Sequence, residues 1–351
     1  MKLYGRNWPR RELESRVGRL EQIGGIRRMK LIEGPEAGVE QIQVRTGAGL
    51  TYYVSPTRGL DIGLTELFGA AVSWQSPNGD VHPAYFEPQG AGWLRTAAGG
   101  LLMTCGLMQV GAPNEDAGEA LGLHGRVHHL PAQQVSATGQ WREDEYEMRI
   151  SGLVDETAIF GDHLRLHREI TSWLGENRIE ISDVVENVGF HPAPHMLLYH
   201  FNFGFPLMSE QTRIDFPSRR VVPRDEGVPL EGFDRWQPPQ AGYAERVYYH
   251  QELVEKDGWA EVRIHNPAFP LGPNPGPVQV RVRWKTDTLP RLVQWKMPGA
   301  GVHVLGVEPA NCHVEGRARE RARKTLVTLQ PGEKRSYQLS LHFETQEATA
   351  P

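Results

Sequence analysis

Apolar and polar residues alternate with a period of two over much of this chain. Residues 145–152 alternate, as do 163–172 and 178–186, and Leu174-Gly-Glu-Asn177 joins the last two as a hairpin turn would. Residues 278–284 and 336–343 repeat the pattern, while 38–47 and 50–56 are rich in β-branched residues and bounded by turn residues. Successive side chains of a strand point to opposite faces, so this pattern predicts strands with one buried and one wet face. Antiparallel sheets produce it; buried parallel strands do not. Helical spacing shows only at Leu13, Val17 and Leu20, which predicts one short N-terminal helix within residues 11–23, weakened by Gly18. No helical pattern of about 10 to 15 residues separates the strands, which disfavours a doubly wound α/β fold. A large all-β sandwich is the expectation. Residues 213–240, rich in Pro, Arg and Asp, read as a long loop, and 266–277 read as non-regular. Neither marks a boundary, so one domain over residues 1–351 is expected, with 1–25 as an N-terminal extension.

Composition adds detail to this picture. Gly (38) and Pro (26) are abundant enough to imply many turns, and 39% hydrophobic residues suffice for a core. The net charge of −5 and the absence of an aromatic-interleaved basic stripe give no reason to expect nucleic acid. Cys105 and Cys312 do not make a disulfide framework. The first eleven residues lack the apolar core of a signal peptide, and the longest apolar stretch, 99–110, is too short to span a bilayer. A reduced, cytoplasmic protein with no membrane partner is expected.

Several segments carry candidate chemistry. Residues 302–307 read as a strand that ends on Glu308, and Pro309 stops it because proline lacks an N–H and fixes φ. A carboxylate at a strand end beside a turn is well placed to act as a base. Asn311 follows in the same turn, and Trp295 and Lys296 lie on the preceding strand, where the indole is either a core side chain, the commoner outcome, or a face for a sugar ring. In residues 195–206, His200 and Asn202 share one face of an apolar strand whose other face carries Tyr199, Phe201 and Phe203, as a lined pocket would require. His124 is flanked by glycine in Leu123-His-Gly-Arg126, which permits close approach of a ligand. His128 and His129 follow, so a metal is a question there. No His-Glu-x-x-His motif or Cys pair accompanies them, and structural hydrogen bonding is the expected role, with no cofactor. Arg58 and Asp61 flank a turn, either as a local ion pair or with Arg58 donating to a polyol or carboxylate. Residues 317–324 form a basic run, a solvated surface or a site for phosphate.

In this order, these segments resemble the aldose 1-epimerase (galactose mutarotase-like) superfamily, and most nearly a poorly characterised bacterial branch of it. The resemblance rests on Arg58-Gly-Leu-Asp-Ile62, residues 99–107, Leu123-His-Gly-Arg126, Tyr199-His-Phe-Asn-Phe-Gly204 and Glu308-Pro-Ala-Asn311, and covers about residues 17–343. It implies a large antiparallel β-supersandwich with a sugar site in a cleft on one sheet. It implies Glu308 as general base, His200 as general acid, His124 as a hydrogen-bonding partner near the ring oxygen, and Arg58 as a sugar-binding arginine. Asp61, Arg126, Asn202, Trp295, Lys296 and Asn311 are the further substrate-binding candidates, and the partner is a small carbohydrate. Two departures stand out. Arg126 replaces the usual second glycine of Leu-His-Gly-Gly. The superfamily's sugar-binding aspartate between the second histidine and the glutamate has no counterpart in context among Asp215, Asp225 and Asp234. The implied activity is anomer interconversion. A sugar isomerase, an epimerase acting away from C1, and a non-catalytic carbohydrate-binding protein are the alternatives.

Overall fold

The computed structural model of the chain describes residues 1–345, and within them two large antiparallel sheets are packed together. The main path of the first, 12-stranded sheet runs Ser218–Pro223, Arg246–Leu253, Arg291–Gly299, Val302–Ala310, Ala193–Phe203, Leu102–Leu107, Asp61–Leu67, Leu50–Ser55, Glu40–Arg45 and Gly25–Lys30. The second sheet, of 8 strands, runs Gln133–Arg142, Glu145–Thr157, His163–Trp173, Arg178–Asn187, Lys334–Thr345, Pro275–Lys285, Trp259–Pro270 and Arg213–Asp215. The all-β sandwich expected from the alternation is therefore the fold, and each alternating segment lies inside one of these strands.

Both sheets feed one apolar core. Leu197, Tyr199, Phe201 and Phe203 point into it from the first sheet, and Ile150, Leu166, Ile181, Val282 and Leu341 meet them from the second. The opposite face of the first sheet carries Met103, Cys105, Met196, Leu198, Val247 and Val293, which pack into a second, smaller cluster. The central strands of the first sheet are thus buried on both faces, because loops cover the side away from the core. His200 and Asn202 alternate out of phase with Tyr199 and Phe201, so they sit on the covered side.

Four expectations need adjustment. The strand expected to stop at Pro309 runs through it to Ala310, still paired with residues 291–293, so Glu308 lies within the strand and not at its end. The N-terminal helix is only Arg10–Glu14, and a separate 3₁₀ turn at Leu20–Gln22 follows beyond Gly18. The segment is pinned by the packing of Leu3 and Leu13 on Leu174. Residues 266–277 are largely strand. Trp259–Pro270 and Pro275–Lys285 pair almost to their ends, and a register shift between Asn266 and Phe269 accommodates Pro267. Finally, the stretch 213–240 contains two strands, Arg213–Asp215 and Ser218–Pro223, before the loop proper.

Candidate active site

The register of two neighbouring strands creates the site. Phe201 pairs with Val307 and Leu198 with Ala310, which sets His200 opposite Glu308 on the side away from the main core. His200 Nε2 and Glu308 Oε1 approach to 3.2 Å, without the alignment of a hydrogen bond, so Glu308 Oε1 and His200 Nδ1 are both buried and unpartnered. Beside them, a Cβ on Gly306 would lie 2.5 Å from Glu308 Oε1, 2.8 Å from Trp295 Cβ and 3.2 Å from His200 Cε1. Only glycine leaves room for the pair.

His124 arrives from a loop rather than a strand. Its φ of 55° is left-handed, an uncommon conformation for a side chain with a Cβ. Its backbone is held from both sides, as His124 N donates to Gly111 O at 2.9 Å and His124 O accepts from Gly106 N at 3.1 Å. Gly125, at φ 75°, follows because a Cβ there would strike Gln109 O and Gly106 O at 2.4 and 2.5 Å. The His124 and His200 rings stand edge to face, 6.0 Å apart.

These groups line a cavity of about 520 Å³, within the usual range for small-molecule sites. Trp74, Trp93 and Trp295 share the lining with Arg224 and Glu245. Trp295 Nε1 donates to Glu245 Oε2 at 2.9 Å, and Arg224 pairs with Glu245 at 3.1 Å and with Asp225 at 2.7 Å. Burial at the cavity favours uncharged groups. Burial lowers His124 to about 4, helped by Arg224 and His128. Burial likewise lowers His200 to about 3, helped by the neighbouring His124. Burial and then Glu245 hold the Glu308 carboxyl well above the ordinary carboxylate range, against the pull of Arg224. Burial thus favours the uncharged form of both partners, a protonated Glu308 carboxyl beside a neutral His200 imidazole.

Of the residues singled out in the sequence, Glu308, His200, His124 and Trp295 meet at the cavity. The others do not line it. Arg58 is 1% exposed and spends its guanidinium on Val81 O, on Thr96 O at 2.5 Å and on His128 Nε2 at 2.7 Å. Asp61 accepts from Thr104 N at 2.8 Å and Arg168 Nη1 at 2.8 Å, and lies 2.6 Å from His128 Nδ1. Arginine can only donate, so His128 Nε2 must accept and Nδ1 must carry the proton to Asp61. Arg168 continues this buried network to Asp183 at 2.7 Å. Arg58 and Asp61 are thus interior ties in place of ligand groups, because the turn that carries them faces inward. The histidine cluster is equally committed: His129 Nε2 lies 2.8 Å from Thr96 Oγ1.

Asn202 sits on the same face as His200, but its amide donates to Gly100 O at 3.2 Å and His200 O at 2.8 Å. Lys296 points to the other side of its strand and donates to Gly232 O and, at 2.8 Å, to Arg235 O. Asn311 Oδ1 accepts from Leu197 N at 2.8 Å, which ties two strands together. Arg126 is exposed outside the cavity. In the basic run, Arg317 and Arg321 both bind Asp116 at 2.7 Å, and Arg323 binds Glu315. Sequence reasoning missed Trp74, Trp93, Arg224 and Glu245. Glu245 directly precedes the strand Arg246–Leu253, the same strand-end placement that drew attention to Glu308.

A family model described as a domain of unknown function, DUF4432, matches residues 36–343. The chain belongs to this family. Among solved structures, a Klebsiella pneumoniae subsp. pneumoniae MGH 78578 protein, provisionally described as an aldose 1-epimerase, is similar at 26% identity and a TM-score of 0.81, covering 91% of this chain and 83% of its own. A galactose mutarotase-like protein from Clostridium acetobutylicum shares the fold at 13% identity and a TM-score of 0.60, covering 93% and 100%. Galactose 1-epimerase from Lactobacillus acidophilus NCFM shares it at 13% identity and 0.58, covering 92% and 99%. A comparison with curated proteins returned no match. This DUF4432 chain therefore has the galactose mutarotase-like fold.

Proposed function

We propose that this DUF4432 protein interconverts the anomers of a sugar by acid–base catalysis in the Trp-lined cavity. The observation that carries this reading is the Glu308–His200 pair, buried and 3.2 Å apart, with the His124 ring beside it. Such a pair suits a reaction in which one proton leaves a hydroxyl and another arrives at a ring oxygen. Every atom of Glu308 and His124 cannot face the cavity. Glu308 Oε1 and His124 Nδ1 are buried without a partner, and Oε2 and Nε2 are the atoms we assign to the ligand.

The anomeric hydroxyl donates to Glu308 Oε2, which favours the carboxylate, and the Glu308 proton passes to His200. The Glu308 carboxylate then takes the hydroxyl proton, and the His200 imidazolium protonates the ring oxygen. The C1–O bond of the ring opens to an aldehyde, which turns about C1–C2 and closes from the other face with the roles reversed. His124, neutral, holds the ring oxygen side through Nε2. Glu245 supplies a carboxylate between His200 and Glu308 in chain order, the position where an aspartate was sought. Each proton transfer contributes roughly 10²–10⁴-fold.

The test is exchange NMR of anomeric protons across a panel of aldoses, with Glu308→Gln as control. Accelerated exchange that falls by about 100-fold or more in the variant is expected. Acceleration that survives the substitution, or none with any sugar, defeats the proposal. Solvent deuterium incorporated at C2 would instead support an isomerase or epimerase.

A further inference from the structure

The charge balance and lining of the cavity narrow the ligand, given the reading that it binds a sugar. Arg224 is the one arginine or lysine among the described lining residues, and two carboxylates, Asp225 and Glu245, already neutralise it. Lys296, one strand position from Trp295, is turned away onto backbone carbonyls. Arg58 is sealed in the interior. A phosphate or carboxylate on the ligand would find no free cation and would face Glu245.

Hydroxyl partners are also scarce away from the acid–base pair. Ser76 Oγ is spent on Ala97 O at 2.5 Å. The Asn78 amide donates to Leu94 O at 2.8 Å and Ala97 O at 3.0 Å. The Trp295 indole N–H is spent on Glu245, which leaves the buried, unpartnered Trp93 N–H as an indole donor for a sugar hydroxyl. What remains is largely apolar: the faces of Trp74 and Trp93, with Met103, Leu123, Val247 and Val314. A hydroxyl pressed against such a wall loses its water partners and gains none, which is costly.

We propose that the cavity selects an uncharged deoxy-aldose, whose missing hydroxyl leaves an apolar edge for this wall. The same lining rejects sugar phosphates and uronic acids. Discrimination against the fully hydroxylated counterpart is about 10- to 100-fold, the range an apolar pocket achieves for one hydroxyl.

The experiment is titration of tryptophan fluorescence with matched pairs: L-fucose and L-galactose, D-fucose and D-galactose, L-rhamnose and L-mannose, together with galactose 6-phosphate and glucuronate. Three cavity indoles make quenching a direct report of occupancy, independent of turnover. At least one deoxy sugar should saturate with a Kd about 10-fold or more below its partner, with no saturation by the charged sugars at millimolar concentration. Equal or better binding of the hydroxylated sugar in every pair, strongest binding of a charged sugar, or no quenching by any sugar overturns the inference. A deoxy preference in binding with no anomer exchange upholds the inference and defeats the proposed activity.

Discussion

Gly306→Ala tests whether the position of one carboxylate oxygen limits the reaction. Gly306 lacks a left-handed φ, so alanine suits its backbone. The added Cβ, however, lies 2.5 Å from Glu308 Oε1, and ordinary contact begins at 3.4 Å. Trp295 Cβ, at 2.8 Å, cannot yield cheaply, because Trp295 pairs with Gly306 across the sheet. The carboxylate must therefore retreat by about 0.9 Å, which opens its 3.2 Å approach to His200. A displacement near 1 Å in a reacting group costs about 100-fold in rate, or about 2.7 kcal/mol of barrier. Overpacking adds about 1–3 kcal/mol of destabilisation. Anomer-exchange NMR gives kcat, a thermal melt confirms folding, and fluorescence confirms that sugar still binds. On a Glu308→Gln background the same alanine should cost little further rate. A folded Gly306→Ala protein with kcat within about threefold of the parent would refute the idea that this contact places the base.

Other outcomes follow from the same geometry. Arg58→Lys should lose about 1–3 kcal/mol of stability, because buried carbonyls lose their donor, yet leave KM unchanged in the folded protein; a raised KM with unchanged stability would restore the arginine to the ligand. Arg168→Met leaves Asp61 and Asp183 uncompensated and should cost about 3–5 kcal/mol in urea unfolding, while a loss under about 1 kcal/mol would contradict the network. Activity should hold from pH 7 down to about 5 and then fail as His124 takes up a proton near 4 and His200 near 3; an acid limb centred near 6.5, the ordinary histidine value, would refute the effect of burial. Glu308 keeps its proton in the folded state above about pH 4.3, where the unfolded chain has lost it, so stability falls as pH rises. Glu308→Gln should therefore melt above the parent at pH 8, with the gap closing toward pH 4; a parent that melts higher at pH 8 would contradict the raised carboxyl.

The sheets were legible because their chemistry is local. Alternation at residues 145–152 and 178–186 requires only that each strand have two unlike faces. Glu308, His200 and Trp295 were legible because strand phase fixes where such side chains point, whereas His124, on a loop, stood out only by its flanking glycine and the family motif. Arg58 and Asp61 misled for the opposite reason: the direction a turn faces depends on partners distant in the chain, here Thr104, His128 and Arg168. Asn202 and Asn311 look like ligand groups in sequence but serve backbone groups of neighbouring strands. Glu245 escaped notice because its role depends on Trp295 and Arg224, 50 and 21 residues away.

Among the described residues the second sheet supplies none to the cavity lining, yet it does not form an exchangeable backing. Arg168 and Asp183 belong to it, while Asp61, Thr104 and Tyr199 belong to the first sheet, and all meet in one buried hydrogen-bonded knot. Grafting the cavity-bearing sheet onto the back of a distant relative would bury Asp61 opposite whatever that relative places there. A chimera must therefore carry the arginine and its aspartate together. Drift on the far side of the molecule is constrained in the same way: a lineage can change either half of the knot only by changing both.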